Sequence, residues 1–281
     1  MQSVVITGVS TGIGWGALKI LTSKGIHVFG SVRKSEDAER LTNEFGDSFT
    51  PLIFDVTDEE SIREATEQVR NQINGNNLLG LVNNAGIAIG GPLMHQPIAD
   101  FRKQIEVNLI GQLIVTQAFL PLLGTDSNLQ GKPGRIINIS SVGGKISSPF
   151  LGAYSASKFG LEAISEALRR ELTIYGIDVI IIGPGSVVTP IWDKAEKMDF
   201  SQYENTKFAI PSQKFLDYAL EKGRSGYSVE AVGELIWKTL TVSKPRVRYP
   251  IVPNHFFDWT IARLLPKRIL DNIIVKQFGL G

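Results

Sequence analysis

The chain has 281 residues, 43% hydrophobic and 20% charged, which suits one large α/β domain. A formal net charge of +1 leaves no electrostatic case for nucleic acid as a partner. The absence of cysteine excludes disulfides, a thiolate nucleophile and a Cys-ligated metal, and three scattered histidines (His27, His95, His255) suggest no metal site.

The first predicted strand, 3–7, lies so close to the start that no secretory or transit segment is expected. It runs into Thr7-Gly8-Val9-Ser10-Thr11-Gly12-Ile13-Gly14, which opens a helical pattern over 12–24. Glycines there let the backbone approach a pyrophosphate, whose charge is favoured by helix N-terminal amides. The second strand, 27–32, begins at His27, read as structural, and ends in Ser31-Val32-Arg33-Lys34. An acid at this point binds the ribose 2′-hydroxyl of NAD, whereas a base accommodates the 2′-phosphate of NADP. Arg33, with Lys34 behind it, therefore favours NADP(H), with NAD(H) as the alternative. A helical pattern at 36–45 and a third strand at 50–54 lead to Asp55 and Val56. Asp55 is a candidate acceptor for the adenine amino group, or a cap for the helix over 58–71.

The fourth strand, 78–82, is followed by Asn83, Ala85 and Gly86, and a long helical pattern over 98–123 contains Asn108. The fifth strand, 135–139, passes through Ser140, Ser141, Val142 and a Gly-Gly turn to Tyr154 and Lys158, at the start of a helix over 154–175. Spacing of i,i+4 places the phenol and the ammonium on one helix face. A hydroxyl at the strand end meets that phenol across a pocket, and strand alternation sends Ser140 the other way. Tyr203/Lys207 and Tyr218/Lys222 repeat the spacing, but in a polar stretch that offers no strand-end hydroxyl. The sixth strand, 179–182, is apolar throughout and leads to Pro184 and Gly185. A helical pattern at 229–242 precedes the seventh strand, 248–252. This alternation predicts an α/β fold: a three-layer, doubly wound parallel sheet of about seven strands with helices on both faces. Ligands collect beyond the carboxyl ends of such strands, where Gly8, Asn83, Ser141 and Gly185 all fall.

Two segments depart from that rhythm within what otherwise reads as a single domain over 1–281. Residues 186–227 are polar and rich in aromatics (Trp192, Phe200, Tyr203, Phe208, Phe215, Tyr218, Tyr227) and read as an insertion over the active end of the sheet. The tail over 254–281 mixes Phe256, Phe257, Trp259, Ile261, Leu264 and Leu265 with Arg263, Lys267 and Arg268. Because Pro266 interrupts any long helix, the tail is read as packing on its own domain, as a lid or as a subunit contact, in preference to touching a membrane. No uninterrupted apolar run approaches the ~20 residues of a membrane span, so no integral membrane segment is expected and a cytoplasmic location is the default.

Together TGVSTGIG (7–14), Asp55-Val56, NNAG (83–86), Asn108 in EVNLIG, Ser141, YSASK (154–158) and PGSVVTP (184–190) resemble the short-chain dehydrogenase/reductase family over nearly the whole chain. Within it the chain looks like the single-domain branch of hydroxysteroid and retinol dehydrogenases and carbonyl reductases. The extended sugar-modifying branch spaces its glycines differently, and the enoyl-reductase branch separates Tyr and Lys more widely. The resemblance implies a Rossmann-type sheet binding NAD(H) or NADP(H) without metal. Tyr154 is then general base for alcohol oxidation and general acid for carbonyl reduction, its proton affinity brought down by the Lys158 ammonium. Ser141 donates to the substrate oxygen, Lys158 also holds the nicotinamide ribose, and Asn108 joins a proton relay. The cofactor set comprises Gly8, Ser10, Thr11, Gly12, Ile13, Gly14, Arg33, Asp55, Val56, Asn83, Ala85, Gly86, Tyr154, Lys158, Pro184, Gly185, Val187 and Thr189. Ser141, Val142, Tyr154 and Trp192 are the substrate contacts, with His95 read as a solvated loop residue. The expected substrate is an apolar alcohol or carbonyl compound of steroid, retinoid or lipid-like character. The family also implies a homodimer or homotetramer through the helices of Asn108 and Tyr154. An NAD-preferring alcohol dehydrogenase and a non-catalytic dinucleotide sensor are the rival readings.

Overall fold

The computed structural model describes residues 2–196, 203–261 and 264–281. Phe200 and Arg263, and the side chains of Phe256 and Phe257, lie outside the described residues. The apolar runs form β1 (Ser3–Ile6), β2 (His27–Val32), β3 (Phe49–Ile53), β4 (Gly80–Asn83), β5 (Arg135–Ile139), β6 (Asp178–Pro184) and β7 (Arg248–Ile251). They pair in parallel, in the order β3-β2-β1-β4-β5-β6-β7. The order reverses between β1 and β4, and a crevice for a ligand opens above such a reversal. The helices are α1 (Gly12–Ser23), α2 (Ser35–Phe45), α3 (Glu59–Gln72), α4 (Ile98–Ile105), α5 (Gly111–Phe119), α6 (Gly152–Glu171), α7 (Ile191–Glu196), α8 (Ala209–Arg224), α9 (Val229–Thr241) and α10 (Lys267–Phe278).

Strand alternation divides the core in two. Val4, Ile6, Val82, Ile137 and Ile182 pack beneath α1 and α9, against Leu18, Leu21 and Ile236. Val5, Leu81, Ile136 and Val179 face the opposite layer, against Ile62 and Val69 of α3 and Val115 and Phe119 of α5. Each such fully buried aliphatic or aromatic side chain contributes about 1.5–3 kcal/mol. His27 is structural, its ring nitrogens lying 3.1 Å from the Asp47 carbonyl and 2.9 Å from the Thr50 hydroxyl.

The stretch read as one helix over 98–123 is broken. After α4 comes a wide π turn, Glu106–Ile110, then α5, then a 3₁₀ turn, Leu120–Leu123. Asn108 folds its amide onto the Ile87 peptide, accepting from its N–H and donating to its carbonyl at 2.8 Å each. A Cβ on Gly111 would lie 2.9 Å from both Cγ2 and the carbonyl oxygen of Val56, so only glycine permits this approach to the β3 end. By length and composition Ile98–Leu123 is apolar enough to cross a membrane, a point missed by looking only for uninterrupted runs. Here it packs within the domain, burying Gln104, Asn108 and Gln112, which bond to the backbone of Ile89, Ile87 and Ala85.

Within 186–227, α8 carries an apolar face onto a third cluster, in which Phe150, Phe215 and Phe278 are buried and Phe208 and Leu151 pack around them. The Phe278 ring of α10 lies 5.5 Å from Phe215 and 5.7 Å from Tyr218. The tail thus packs on its own domain, against α8.

Candidate active site

At the end of β1 the backbone turns at Gly8 (φ +71°) and again at Gly12 (φ +63°), both in the region that favours glycine. A Cβ on Gly14 would run into the Gly8 carbonyl and the Asn84 side chain, so three glycines keep the turn flat against α1. Thr11, at the N-cap of α1, provides no side-chain cap, and the first turn holds no acid. The amides of Gly12, Ile13 and Gly14 therefore form a site for an anion such as a pyrophosphate, and the residues present fit the expected dinucleotide. Ser10 lends its carbonyl to Arg40 Nη2 at 2.8 Å, which fixes the outer side of the turn. Thr189 reaches it from across the crevice: a Cβ on Gly12 would lie 3.4 Å from Thr189 Cγ2.

Two residues absent from the expected set hold this turn. Ser31 Oγ accepts from the Gly8 amide at 2.9 Å, and Asn84 Nδ2 donates to the Thr7 and Gly8 carbonyls at 2.9 and 3.0 Å. The Thr7 hydroxyl in turn accepts from the amides of Asn84 and Ala85, both at 2.9 Å. Asn83, the expected member, points into the sheet, donating to Thr116 Oγ1 at 2.8 Å and Asn138 Oδ1 at 2.9 Å. Strand alternation separates the neighbours: one asparagine braces the sheet, and the other the glycine turn.

Arg33 lies just beyond β2, its side chain 71% exposed, with Nη1 3.8 Å from Asp55 Oδ2. An exposed pair at that distance is worth under about 1 kcal/mol, so a phosphate dianion can displace it. Asp55 Oδ1 accepts from the Thr57 amide and hydroxyl at 3.0 and 2.8 Å. Asp55 is not the helix cap; Asp58 is, accepting from Glu60 and Ser61 of α3. Val56 is buried beneath Gly111 and shapes the floor of this end of the crevice.

The reactive cluster lies beyond β5. Ser141 caps a short 3₁₀ turn, Val142–Gly144, its Oγ accepting from the Gly143 amide at 3.0 Å and lying 3.4 Å from the Pro184 carbonyl oxygen. Ser140 points the opposite way into the protein, where a Cβ on Gly144 would lie 2.7 Å from its Oγ. The Ser141 hydroxyl faces the Tyr154 phenol closely enough to lower its proton affinity. Gly143 lies along that ring: a Cβ there would be 3.4 Å from Tyr154 Cε1. Lys158 is buried; its Nζ donates to the Ile139 carbonyl at 2.9 Å and lies 5.8 Å from the Tyr154 ring centroid. Tyr218 and Lys222 show nearly the same separation, 5.7 Å, with Tyr218 40% exposed. The helical spacing thus sets the cation–ring distance, while burial and the serine distinguish Tyr154 from its repeat.

The expected fall in the proton affinity of Tyr154 is not what the site shows. Burial pushes the phenol up, and the Ser141 hydrogen bond opposes it. Burial also lowers Lys158 to about 8, with the Glu162 charge acting the other way. Desolvation sets the direction at both groups. Tyr154 is therefore a protonated phenol at neutral pH.

Asn108 does not contact that pair directly. Besides Ile87, its Nδ2 donates to Ser157 Oγ at 3.1 Å, and Ser157 Oγ donates to the Tyr154 carbonyl at 2.7 Å. Gly86 fills the space between, since a Cβ there would lie 3.2 Å from Asn108 Oδ1 and 3.7 Å from Lys158 Nζ. Across the crevice, the Gly185 amide donates to the Ile251 carbonyl at 2.8 Å, and a Cβ on Gly185 would lie 3.9 Å from Val142 Cγ1. Val187 is buried and bridges to Tyr227. Trp192 departs from its expected substrate role: Nε1 donates to the Val187 carbonyl at 2.7 Å, and its ring packs so closely on Gly223 that no Cβ fits there. That indole braces α7 against α8. His95 is exposed, its ring centroid 5.6 Å from that of Phe208 in an edge-on arrangement.

A family model described as short chain dehydrogenase matches residues 2–199. An NADPH-dependent 3-dehydrocapnine reductase of Ornithobacterium rhinotracheale is 41% identical over 279 residues, 99% of this chain and 97% of that protein. Retinol dehydrogenase 16 of Mus musculus is 35% identical, over 96% of this chain and 87% of that one. Among solved structures, the closed form of serine dehydrogenase complexed with NADP+ is 25% identical, covering 90% of this chain and 95% of its own, with a TM-score of 0.74. A short-chain dehydrogenase from Streptomyces avermitilis shares the fold at 24% identity, covering 98% and 94% of the two chains, with a TM-score of 0.75. Matches of this extent, on a sheet whose crevice already joins a strand-end hydroxyl to a phenol and a buried amine, make the chain a member of the short-chain dehydrogenase/reductase family of oxidoreductases, which act on CH–OH and carbonyl groups with NAD(P).

Proposed function

We propose that this protein is an NADP(H)-dependent reductase of an apolar ketone or aldehyde, with alcohol oxidation as the reverse reaction. The observation that carries the reading is the Tyr154 phenol, kept protonated by desolvation, facing the Ser141 hydroxyl and one helical turn from the buried Lys158. A protonated phenol is the form that a general acid requires. The bound cofactor supplies a hydride to the carbonyl carbon. Ser141 donates to the carbonyl oxygen as negative charge gathers there, and Tyr154 passes its proton to that oxygen to complete the alcohol. Lys158, anchored by Ile139, places a cation beside the resulting phenolate and keeps two further N–H donors for a ribose hydroxyl. Asn108, through Ser157, fixes the helical turn that carries Tyr154. Arg33 and the uncapped N-terminus of α1 favour the phosphates of NADP(H), and the relative named NADPH-dependent supports the same choice. Exposed Leu93 and Met94 and the aromatic cluster under α8 support an apolar substrate, in keeping with relatives named for 3-dehydrocapnine and retinol.

The test is NADPH oxidation with a panel of apolar ketones and aldehydes, followed at the nicotinamide absorbance. Steady consumption with at least one of them is expected, and none across the panel would count against the reading. In the same assay Arg33→Asp should bind NADPH roughly ten- to a hundredfold more weakly, the loss of one charge-assisted hydrogen bond, and should gain on NADH. Unchanged NADPH affinity would remove Arg33 from the phosphate site. The same reading gives a homodimer or homotetramer through the faces of the Asn108 and Tyr154 helices, where Ile110 and Phe159 are 41% and 43% exposed. Sedimentation of the protein as a monomer at micromolar concentration would remove that part.

A further inference from the structure

Among the described residues Glu162 is the carboxylate buried most deeply, 2% exposed, one turn beyond Lys158 on α6. Arg248, on β7, places Nε 3.0 and 3.1 Å from its two oxygens. The same guanidinium donates through Nη2 to the Ser141 carbonyl at 3.0 Å and lies 4.0 Å over the Trp259 ring. Room for it exists because residue 183 is glycine; a Cβ there would collide with the guanidinium. Lys145, just after the 3₁₀ turn of Ser141, places Nζ 3.3 Å from Glu162 Oε2. One buried pair thus ties together β7, the strand end that presents Ser141 and the helix that presents Tyr154 and Lys158.

Burying two charges is expensive, and apolar residues of similar volume often fold as well or better. The two groups reached through this pair, the Ser141 peptide and Lys158, are those that the reaction needs in place. We propose that Glu162 and Arg248 are positioning residues for the carbonyl reduction: Arg248 fixes the Ser141 peptide from behind, and Glu162 holds Arg248 there and sets a carboxylate one helical turn from Lys158. The proposal rests on the catalytic reading of Ser141, Tyr154 and Lys158. Among the described residues, the charged and titratable groups facing the pair include Lys145 from the turn after β5 and Lys158 from α6, with Tyr154 beyond it. With Glu162 ionised, its charge opposes the desolvation that drives Lys158 towards neutrality.

The experiment separates the two roles. Glu162→Gln should move the alkaline limb of carbonyl reduction to lower pH by about one unit. In the free protein, the titration of Lys158 followed by carbon-13 NMR, and assigned by its loss in Lys158→Met, should move the same way. Arg248→Lys keeps the charge but loses the fork to Ser141, so kcat should fall roughly tenfold or more while the Lys158 titration stays. The paired Glu162→Met/Arg248→Met variant removes both buried charges together and leaves Lys145, already partly exposed, free to turn to solvent. It should fold, as judged by circular dichroism, with both defects present. Folded variants with an unmoved Lys158 titration and normal kcat would overturn the proposal. A wild type that reduces no carbonyl, yet whose Lys158 titration responds to Glu162, would overturn the catalytic reading and leave the hold of Glu162 on Lys158 standing.

Discussion

Replacing Tyr154 with Phe is expected to lower kcat for carbonyl reduction roughly 10³-fold or more while NADPH still binds near its wild-type affinity. The ring stays, so the packing of Gly143 along its edge is kept. What disappears is the hydroxyl that meets Ser141 and carries the transferable proton. Water can still protonate the product oxygen, which leaves a residual rate. Rate against pH gives a second reading of the same site. Above a pH of about 8 the buried Lys158 becomes neutral, and the cation beside the developing phenolate is lost. Reduction by the wild type should therefore decline as pH rises through that value. Initial rates and a fluorescence titration with NADPH on both proteins check the expectation. Turnover of Tyr154→Phe within tenfold of wild type would show that another group supplies the proton.

Gly14→Ala tests the cofactor end with similar force. The added methyl has nowhere to go: the Gly8 carbonyl and the Asn84 amide already occupy its place. Either the turn opens or α1 shifts from the seat that its Leu18 and Leu21 make against Val4 and Ile6. Overpacking of this kind costs about 1–3 kcal/mol. If it falls wholly on the turn, NADPH affinity drops roughly ten- to a hundredfold; if it is shared with the core, the melting temperature drops too. Titration and thermal melting together measure both. A Gly14→Ala protein with wild-type affinity and stability would show that the pyrophosphate lies elsewhere.

The sheet was legible because β-branched runs bounded by turns need no tertiary information, and all seven predicted strands appear within a residue or two of their expected ends. The choice of Ser141 over Ser140 followed from the two-residue period of a strand, and the two side chains do part as expected. The misreadings have a common origin in contacts between distant residues. The Gly8 turn is held by Ser31 and Asn84, 23 and 76 residues away along the chain, and although Asn84 falls within NNAG, spacing alone does not tie either residue to that turn. Trp192 looked available for substrate until its partner Gly223 came into view, and the Arg248–Glu162 pair spans 86 residues. The direction in which Tyr154 shifts is not legible in the sequence, which reveals a neighbouring charge but not how far each group is withdrawn from water, Lys158 being buried and Tyr154 partly so.

The π turn at Glu106–Ile110 has one further effect. An α-helix advances about 100° per residue, so one additional residue in a turn rotates everything after it by that angle. The segments on either side can then serve different neighbours, α4 leaning on α6 and α5 on α3. Neither segment need carry an apolar stripe broad enough for both. Excision of a single residue from that loop of backbone would bring the two segments into phase, swing Thr116 away from Asn83 and lift Phe119 out of the layer it fills.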